Sequence, residues 1–229
     1  MNKREGGKIL TVGLSGGRTP SDLYDFVAGC PREFPWEIIH MFLVDERFVP
    51  IDQPESNYKL IEDHLLKPLA LSGNTIHPVM TEGLSMDEAA AKYESDLHAF
   101  FSSPPDVPSF DLILLGIGDD GHTASLFPGA RELNEDTRLV VPVKTDRIPH
   151  ERITMTLPLI NNARNVVFFV TGKNKALIMK KLLYGRNAEL PASRVRPTKG
   201  SLKYVLDDDA FSNLDFDSIT GDVLVEDYR

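Results

Sequence analysis

The stretch Phe110-Asp-Leu-Ile-Leu-Leu-Gly-Ile-Gly-Asp-Asp-Gly-His-Thr-Ala-Ser125 decides the fold predicted for this chain. Residues 110–115 are mostly apolar and do not alternate with polar residues, which predicts a central strand covered on both faces. Residues 116–125 are mostly glycine and polar residues, which predicts a loop at the carboxyl end of that strand. A buried strand followed by such a loop is typical of an α/β protein with a parallel sheet.

The same alternation of strand and helix extends along the chain on both sides of this stretch. Further strands are predicted at residues 9–14, 38–44, 139–143, 152–156, 166–170 and 202–206. Helices are predicted at residues 20–28, 56–66, 85–101 and 174–184, the third opened by the capping box Ser85-Met-Asp-Glu88. This order predicts an α/β fold with a mostly parallel sheet and helices on both faces. We expect a single domain over residues 1–206 and an acidic tail over residues 207–229.

The composition excludes several functional classes. The chain has 229 residues, a hydrophobic content of 41% and a net charge of −9, which argues against disorder and against sequence-independent nucleic-acid binding. The tail holds eight acids and one base, so the rest of the chain is nearly neutral with 26 acids and 24 bases. Because no apolar run approaches the roughly 20 residues of a membrane span, we expect no membrane partner.

A single cysteine, Cys30, excludes an intramolecular disulfide and a cysteine-rich zinc site. The N-terminal residues contain no apolar segment typical of a secretory signal, so we expect a cytoplasmic protein. No pair of histidines has the spacing of metal ligands, so no metal is predicted. Ser15 and Ser125 lack the sequence context of a nucleophile elbow, which argues against a Ser-His-Asp triad.

Polar or glycine-rich loops follow several of the predicted strands. In open α/β sheets the ligand binds outside the carboxyl ends of the strands. We therefore expect an active site where four loops meet, at residues 15–20, 45–50, 116–125 and 172–175.

The first loop lacks both the Walker lysine and the G-x-G-x-x-G spacing, so it is not a nucleotide-binding loop of either kind. Gly16 and Gly17 allow the backbone to approach a ligand, Ser15 and Thr19 supply hydroxyls, and the next helix presents free N–H groups. This combination predicts a phosphate cradle. A tight strand-to-helix turn explains the same residues equally well.

The second loop contains Asp45 and Arg47. The Arg47 guanidinium could bind a phosphate or carboxylate bidentately, and Asp45 could orient a substrate hydroxyl or take part in proton transfer. A surface ion pair that closes the loop is the alternative.

The third loop carries the predicted catalytic residue. His122 lies among glycines and polar residues, which is a poor setting for core packing, and its ordinary pKa of about 6.5 suits a general base. Backbone N–H groups at the start of the following helix could stabilise an oxyanion.

Whether Lys175 and Arg152 can reach the predicted site depends on the direction of the helix or strand that carries each of them. Lys175 begins a helix just past a strand and can reach an anion at the sheet edge. Arg152 begins a strand, so its side chain should lie at the opposite edge unless that strand runs antiparallel.

These segments resemble the 6-phosphogluconolactonases, whose superfamily also contains the glucosamine-6-phosphate deaminases. The matching segments follow the family's order: Leu14–Pro20, Val44–Pro50, Ser56–Asn57, Leu115–Gly129, Arg152–Thr156, Thr171–Ala176 and Leu190–Ser193. Two departures are visible: family members usually carry a further helix before the first glycine loop, and their tails after about residue 210 are shorter.

The resemblance implies a modified Rossmann-like sheet with additional strands, no cofactor, and hydrolysis of 6-phospho-D-glucono-1,5-lactone in the oxidative pentose phosphate pathway. It implies that His122 is the general base with Asp120 beside it and that Arg47 lies near the substrate. The residues it assigns to the sugar phosphate are Gly16, Gly17, Arg18, Thr19, Arg152 and Lys175. We expect this lactone as a small-molecule partner and favour a monomer.

Two alternatives stay open at this point. A glucosamine-6-phosphate deaminase usually has an acidic residue soon after the Gly-His motif, where this chain has Ala124–Pro128, and an aromatic residue at the position of Arg47. A non-catalytic sugar-phosphate sensor could use the same cradle, although His122 and Asp120 argue against it.

Overall fold

The computed structural model describes residues 9–30, 34–71, 73–102, 106–184 and 189–215. Its strands are β1 (Leu10–Leu14), β2 (Ile39–Leu43), β3 (Asp45–Arg47), β4 (Ile76–His77), β5 (Leu112–Leu115), β6 (Val140–Lys144), β7 (Glu151–Met155), β8 (Asn165–Val170) and β9 (Ser201–Leu206). Its α-helices are α1 (Arg18–Ala28), α2 (Asn57–Ile61), α3 (Met86–Phe101), α4 (Leu157–Ile160), α5 (Ala176–Tyr184) and α6 (Asp208–Phe211).

The main sheet has six strands in the order β4-β2-β1-β5-β8-β9, and every pairing in it is parallel. Helices flank this sheet, which confirms the predicted α/β class. As predicted from its apolar sequence, β5 is central, and Ile113 and Leu115 are buried.

The strand order reverses between β1 and β5. From β1 the chain proceeds outward to β2 and β4, and from β5 it proceeds outward in the other direction to β8 and β9. The loops that follow β1 and β5 therefore flank a topological switch point, which is where open α/β sheets bind ligands.

A second sheet of three antiparallel strands, in the order β3-β7-β6, corrects part of the sequence interpretation. Asp45 and Arg47 lie on a strand rather than in a loop, and the strands predicted at 139–143 and 152–156 belong to this second sheet. Strand β7 runs antiparallel to β3, which is the condition under which Arg152 can reach the carboxyl edge of the main sheet.

The helices differ from prediction mainly at their ends. Helix α3 has the predicted capping box, in which Ser85 and Glu88 bond each other's backbone N–H groups. Helix α2 continues as a π-helical segment over Glu62–Leu66. The helix expected after His122 is not formed, because Ala124 adopts a left-handed φ of 50° and the chain turns there.

The predicted acidic tail begins in a helix. The Asp207 carboxylate accepts hydrogen bonds from the N–H groups of Ala210 and Gly172, so it caps α6 and holds the loop after β8. Residues 216–229 lie outside the described residues, and the boundary at residue 206 stays a prediction. Within the described ranges, no helix is long and apolar enough to cross a membrane.

Candidate active site

A cavity of about 480 Å³ opens at the carboxyl ends of the main-sheet strands. Residues from all four predicted segments line it, together with Asn57 and Arg152. The structure therefore brings together the glycine loop, Asp45, Arg47, His122, Arg152 and Lys175. Asp120 is not among the described lining residues and reaches the site through His122.

The first loop joins β1 to α1 in an open cradle. Gly17 has a φ of +112°, which strongly favours glycine, and α1 begins at Arg18, two residues earlier than predicted. A Cβ at Gly16 would lie 1.8 Å from Asn57 Oδ1, so only glycine fits. The first turn of α1 lines the cavity, and the N–H groups of Arg18 and Thr19 have no partner within the helix, as a phosphate site requires.

The hydroxyls of the first loop have protein partners. Ser15 Oγ donates to the Leu114 carbonyl at 2.9 Å, and Thr19 Oγ1 lies 2.9 Å from Thr171 Oγ1. The Ser15 hydroxyl therefore ties the loop to β5. Its position in the sequence had indicated that it would bind a ligand instead. Thr19 and the exposed Arg18 remain at the cavity.

Asp45 is buried in a network that the sequence did not indicate. Ser125 Oγ donates to Asp45 Oδ2 at 2.6 Å, and Asn57 Nδ2 donates to the Asp45 carbonyl at 2.8 Å. Asn57 lines the cavity, and its buried Oδ1 has no hydrogen-bond partner among the described residues. Asn57 therefore packs its Oδ1 against the Gly16 backbone, and its appearance in the Ser56–Asn57 motif was the signal for its place at the site.

Glu46 fixes the position of Asn57. The Glu46 carboxylate is fully buried and accepts hydrogen bonds from the N–H groups of Arg47, Asn57 and Tyr58 and from the Ser56 hydroxyl. Burial raises the pKa of Glu46, and these hydrogen bonds only partly offset the effect. The carboxylate thereby holds the first turn of α2 against β3.

Arg47 and Arg152 lie directly opposite each other on β3 and β7. Arg47 Nη1 donates to the Glu55 carbonyl at 2.6 Å, but the Nε atoms of both arginines are buried and have no partner in the part of the chain that the structure describes. Arg152 is only 8% exposed, and burial lowers the pKa of its guanidinium, although the charge of Asp45 acts in the other direction. Two adjacent guanidinium charges at the cavity create a strong preference for an anion.

His122 and Asp120 form a close pair. His122 Nδ1 lies 2.5 Å from Asp120 Oδ1. Burial, the largest influence, lowers the pKa of His122, Asp120 raises it, and the net value lies below the ordinary one. Burial raises the pKa of Asp120, but the hydrogen bonds from His122 and the charge of Arg147 outweigh burial and hold it below its usual range.

Gly118 makes room for this pair. A Cβ at Gly118 would lie 2.0 Å from His122 Nδ1 and 2.8 Å from Asp120 Oδ1. Gly118 therefore provides the space that the imidazole ring and the Asp120 carboxylate occupy.

Lys175 lies at the cavity but is already paired. It ends a 3₁₀ turn over Lys173–Lys175 that leads into α5, and its Nζ lies 2.5 Å from Asp119 Oδ1. Asn174 Nδ2 also donates to Asp119, at 3.3 Å. Because Asp119 is largely exposed, an incoming dianion can compete with it for the ammonium group.

Arg147 was missed by the sequence interpretation. It lies in the hairpin between β6 and β7, and its Nη2 donates to Asp120 Oδ2 at 2.5 Å. An exposed arginine in a polar hairpin gives no sequence signal of such a contact, since it depends on the pairing of distant segments.

Comparisons with known proteins identify the family of this chain. The family model described as glucosamine-6-phosphate isomerases/6-phosphogluconolactonase matches residues 2–204. A 6-phosphogluconolactonase from Synechocystis sp. is 41% identical over 207 residues, which cover 89% of this chain and 84% of the relative.

Two solved structures are also similar. A 6-phosphogluconolactonase from Thermotoga maritima is 32% identical with a TM-score of 0.75, covering 89% of this chain and 88% of that one. A monomeric glucosamine-6-phosphate deaminase has a TM-score of 0.75 at 22% identity, covering 90% of this chain and 88% of that one. The second likeness shows a shared fold alone.

Proposed function

We propose that this chain, which belongs to the glucosamine-6-phosphate isomerase/6-phosphogluconolactonase family, hydrolyses 6-phospho-D-glucono-1,5-lactone with His122 as the general base. Relatives named 6-phosphogluconolactonase are 38–41% identical over most of the chain, which supports lactone hydrolysis in the pentose phosphate pathway. The observation that carries the mechanism is the Asp120–His122 pair beside a cavity lined by the adjacent arginines Arg47 and Arg152.

The base follows from the pairing of the imidazole. The Asp120 carboxylate keeps the proton on His122 Nδ1, so that Nε2 is free to accept a proton from water. The hydroxide equivalent attacks the lactone carbonyl carbon, which gives a tetrahedral intermediate. Protonated His122 then donates to the ring oxygen as the C–O bond breaks, and the ring opens to the acid.

The cations divide between the two ends of the substrate. The cradle of Gly16, Gly17, Arg18 and Thr19 holds the phosphate together with Lys175, once that ammonium leaves Asp119. Arg152 and Arg47 offer donors to the phosphate or to the developing oxyanion. Asp45 orients Asn57, whose side chain packs against Gly16 of the cradle.

The decisive assay measures acid release from freshly prepared phosphorylated lactone, with the spontaneous rate subtracted. We expect the wild type to exceed the spontaneous rate, His122→Ala to approach it, and kcat/KM to decline on an acid limb below pH 6.5, because burial lowers the pKa of His122. A wild type and a His122→Ala variant that both match the spontaneous rate would refute the proposal.

Two substrates test specificity in the same preparation. The unphosphorylated lactone should be a poor substrate with a much higher KM, since it leaves the cradle empty. Ammonia release from glucosamine 6-phosphate would indicate the deaminase instead.

A further inference from the structure

The hairpin between β6 and β7 brings a guanidinium to the Asp120 carboxylate oxygen that His122 does not contact. His122 Nδ1 lies 2.5 Å from Oδ1, and Arg147 Nη2 lies 2.5 Å from Oδ2. The carboxylate thus bridges the imidazole and the guanidinium with one oxygen each. A rotation of the carboxylate that frees one oxygen breaks the contact at the other.

The hairpin itself is fixed at its base. Thr145 N–H donates to the His150 carbonyl at 2.8 Å, and His150 Nδ1 lies 3.0 Å from the Thr145 carbonyl. The Arg147 guanidinium also lies 5.5 Å from the centre of the Phe127 ring, at the distance of a cation–π contact. The His122 ring packs against the same phenylalanine, 4.9 Å away between ring centres.

Arg147 does not belong to the described lining of the cavity. Its side chain is about half exposed (48%), and an ion pair at such exposure adds little to stability. The contact is therefore poorly explained as a stabilising surface pair or as a direct ligand contact.

We propose that Arg147 is a positioning residue that holds Asp120 in place and, through it, orients the His122 ring for catalysis. This inference rests on the proposed function, in which His122 is the base. A carboxylate that is fixed in place selects the tautomer and the ring orientation of a catalytic histidine. His122 contacts only Oδ1 of Asp120, and Arg147 fixes the carboxylate at its other oxygen.

A double-mutant cycle tests this inference. Arg147→Gln should lower kcat about 10-fold and leave KM almost unchanged, and Arg147→Lys should recover much of the loss. In an Asp120→Asn background, Arg147→Gln should change kcat less than about 2-fold, because its target is already altered. Arg131→Gln, which removes an exposed guanidinium paired with Glu132, is the matched control and should match the wild type.

Two kinetic outcomes would overturn the inference. Equal losses in the wild-type and Asp120→Asn backgrounds would show that Arg147 acts independently of Asp120. A loss expressed as a higher KM for the phosphorylated lactone alone would show a direct contact with the phosphate.

A second measurement separates this inference from the proposed function. The ring-nitrogen resonances of His122 in the substrate-free protein report its tautomer and pKa without turnover. We expect Arg147→Gln to shift them and Arg131→Gln to leave them unchanged. Unchanged resonances in Arg147→Gln would overturn the inference even in an active enzyme, whereas a wild type without lactonase activity would overturn the proposed function.

Discussion

Substitution of Gly118 by alanine tests whether the geometry of the Asp120–His122 pair determines the rate. The added Cβ would lie 2.0 Å from His122 Nδ1 and 2.1 Å from Cε1, whereas ordinary contact begins at 3.4 Å. The ring must therefore move by more than about 1 Å. The backbone at Gly118 is not left-handed, so alanine adds no conformational strain there.

The expected loss is large in rate and small in stability. A misplacement of about 1 Å at a catalytic group costs on the order of 100-fold in rate, so we expect kcat/KM for the phosphorylated lactone to fall by about that factor. The His122 ring borders an open cavity and can swing into it. Most of the clash is therefore relieved by this rotation, and we expect the unfolding midpoint to shift by only a few degrees.

Acid release with subtraction of the spontaneous rate measures the loss, and thermal unfolding measures the stability of the same sample. Gly73→Ala is the matched control, because a Cβ there would meet no atom of the described residues within 4 Å and the residue lies outside the site. If Gly118→Ala retained more than about a third of the wild-type kcat/KM, the steric argument and the assigned role of the pair would both be refuted.

Three further predictions follow from other contacts. Gly16→Ala would place a Cβ 1.8 Å from Asn57 Oδ1, so we expect steady-state kinetics to show a KM at least about 10-fold higher; an unchanged KM would contradict this. Arg152→Gln should raise KM for the phosphorylated lactone about 10-fold or more and affect the unphosphorylated lactone less, since a buried charge for the anion is lost; equal effects would indicate a role at the carbonyl. Burial and the charge of His40 lower the pKa of His77 to about 4. As the pH falls, His77 is therefore protonated in the unfolded chain at a higher pH than in the folded protein. The free energy of unfolding should be highest above about pH 6.5 and fall toward pH 4. Urea midpoints should show this decline, and His77→Phe should reduce it.

The main sheet could be predicted from the sequence because β2, β5 and β8 are mostly apolar runs. Strands β3 and β4 have three and two residues. They were missed because a segment of two or three residues is too short to show an alternating pattern. The second sheet was missed for a different reason. Its pairing joins residues 45–47 to residues more than a hundred positions away, and no local pattern specifies that contact.

The candidate site could be predicted where it depends on single loops. The glycine loop and His122 carry local signals, and the rule about carboxyl strand ends brings them together. Asn57 and Ser125 were less visible, because their roles are hydrogen bonds to Asp45 across the fold. The identity of a polar residue does not reveal whether its partner is a ligand or a buried carboxylate.

Arg152 shows why the second sheet matters for function. If β7 ran parallel to the main sheet, an arginine near its first residue would lie at the sheet edge away from the ligand. Because β7 runs antiparallel to β3, Arg152 lies beside Arg47 instead. The hairpin that connects β6 to β7 carries Arg147. The parallel sheet thus contributes backbone donors and the histidine, while the small antiparallel sheet contributes most of the arginine charge. An acidic chain can therefore attract an anionic substrate, because local charge rather than net charge sets the potential in the cavity.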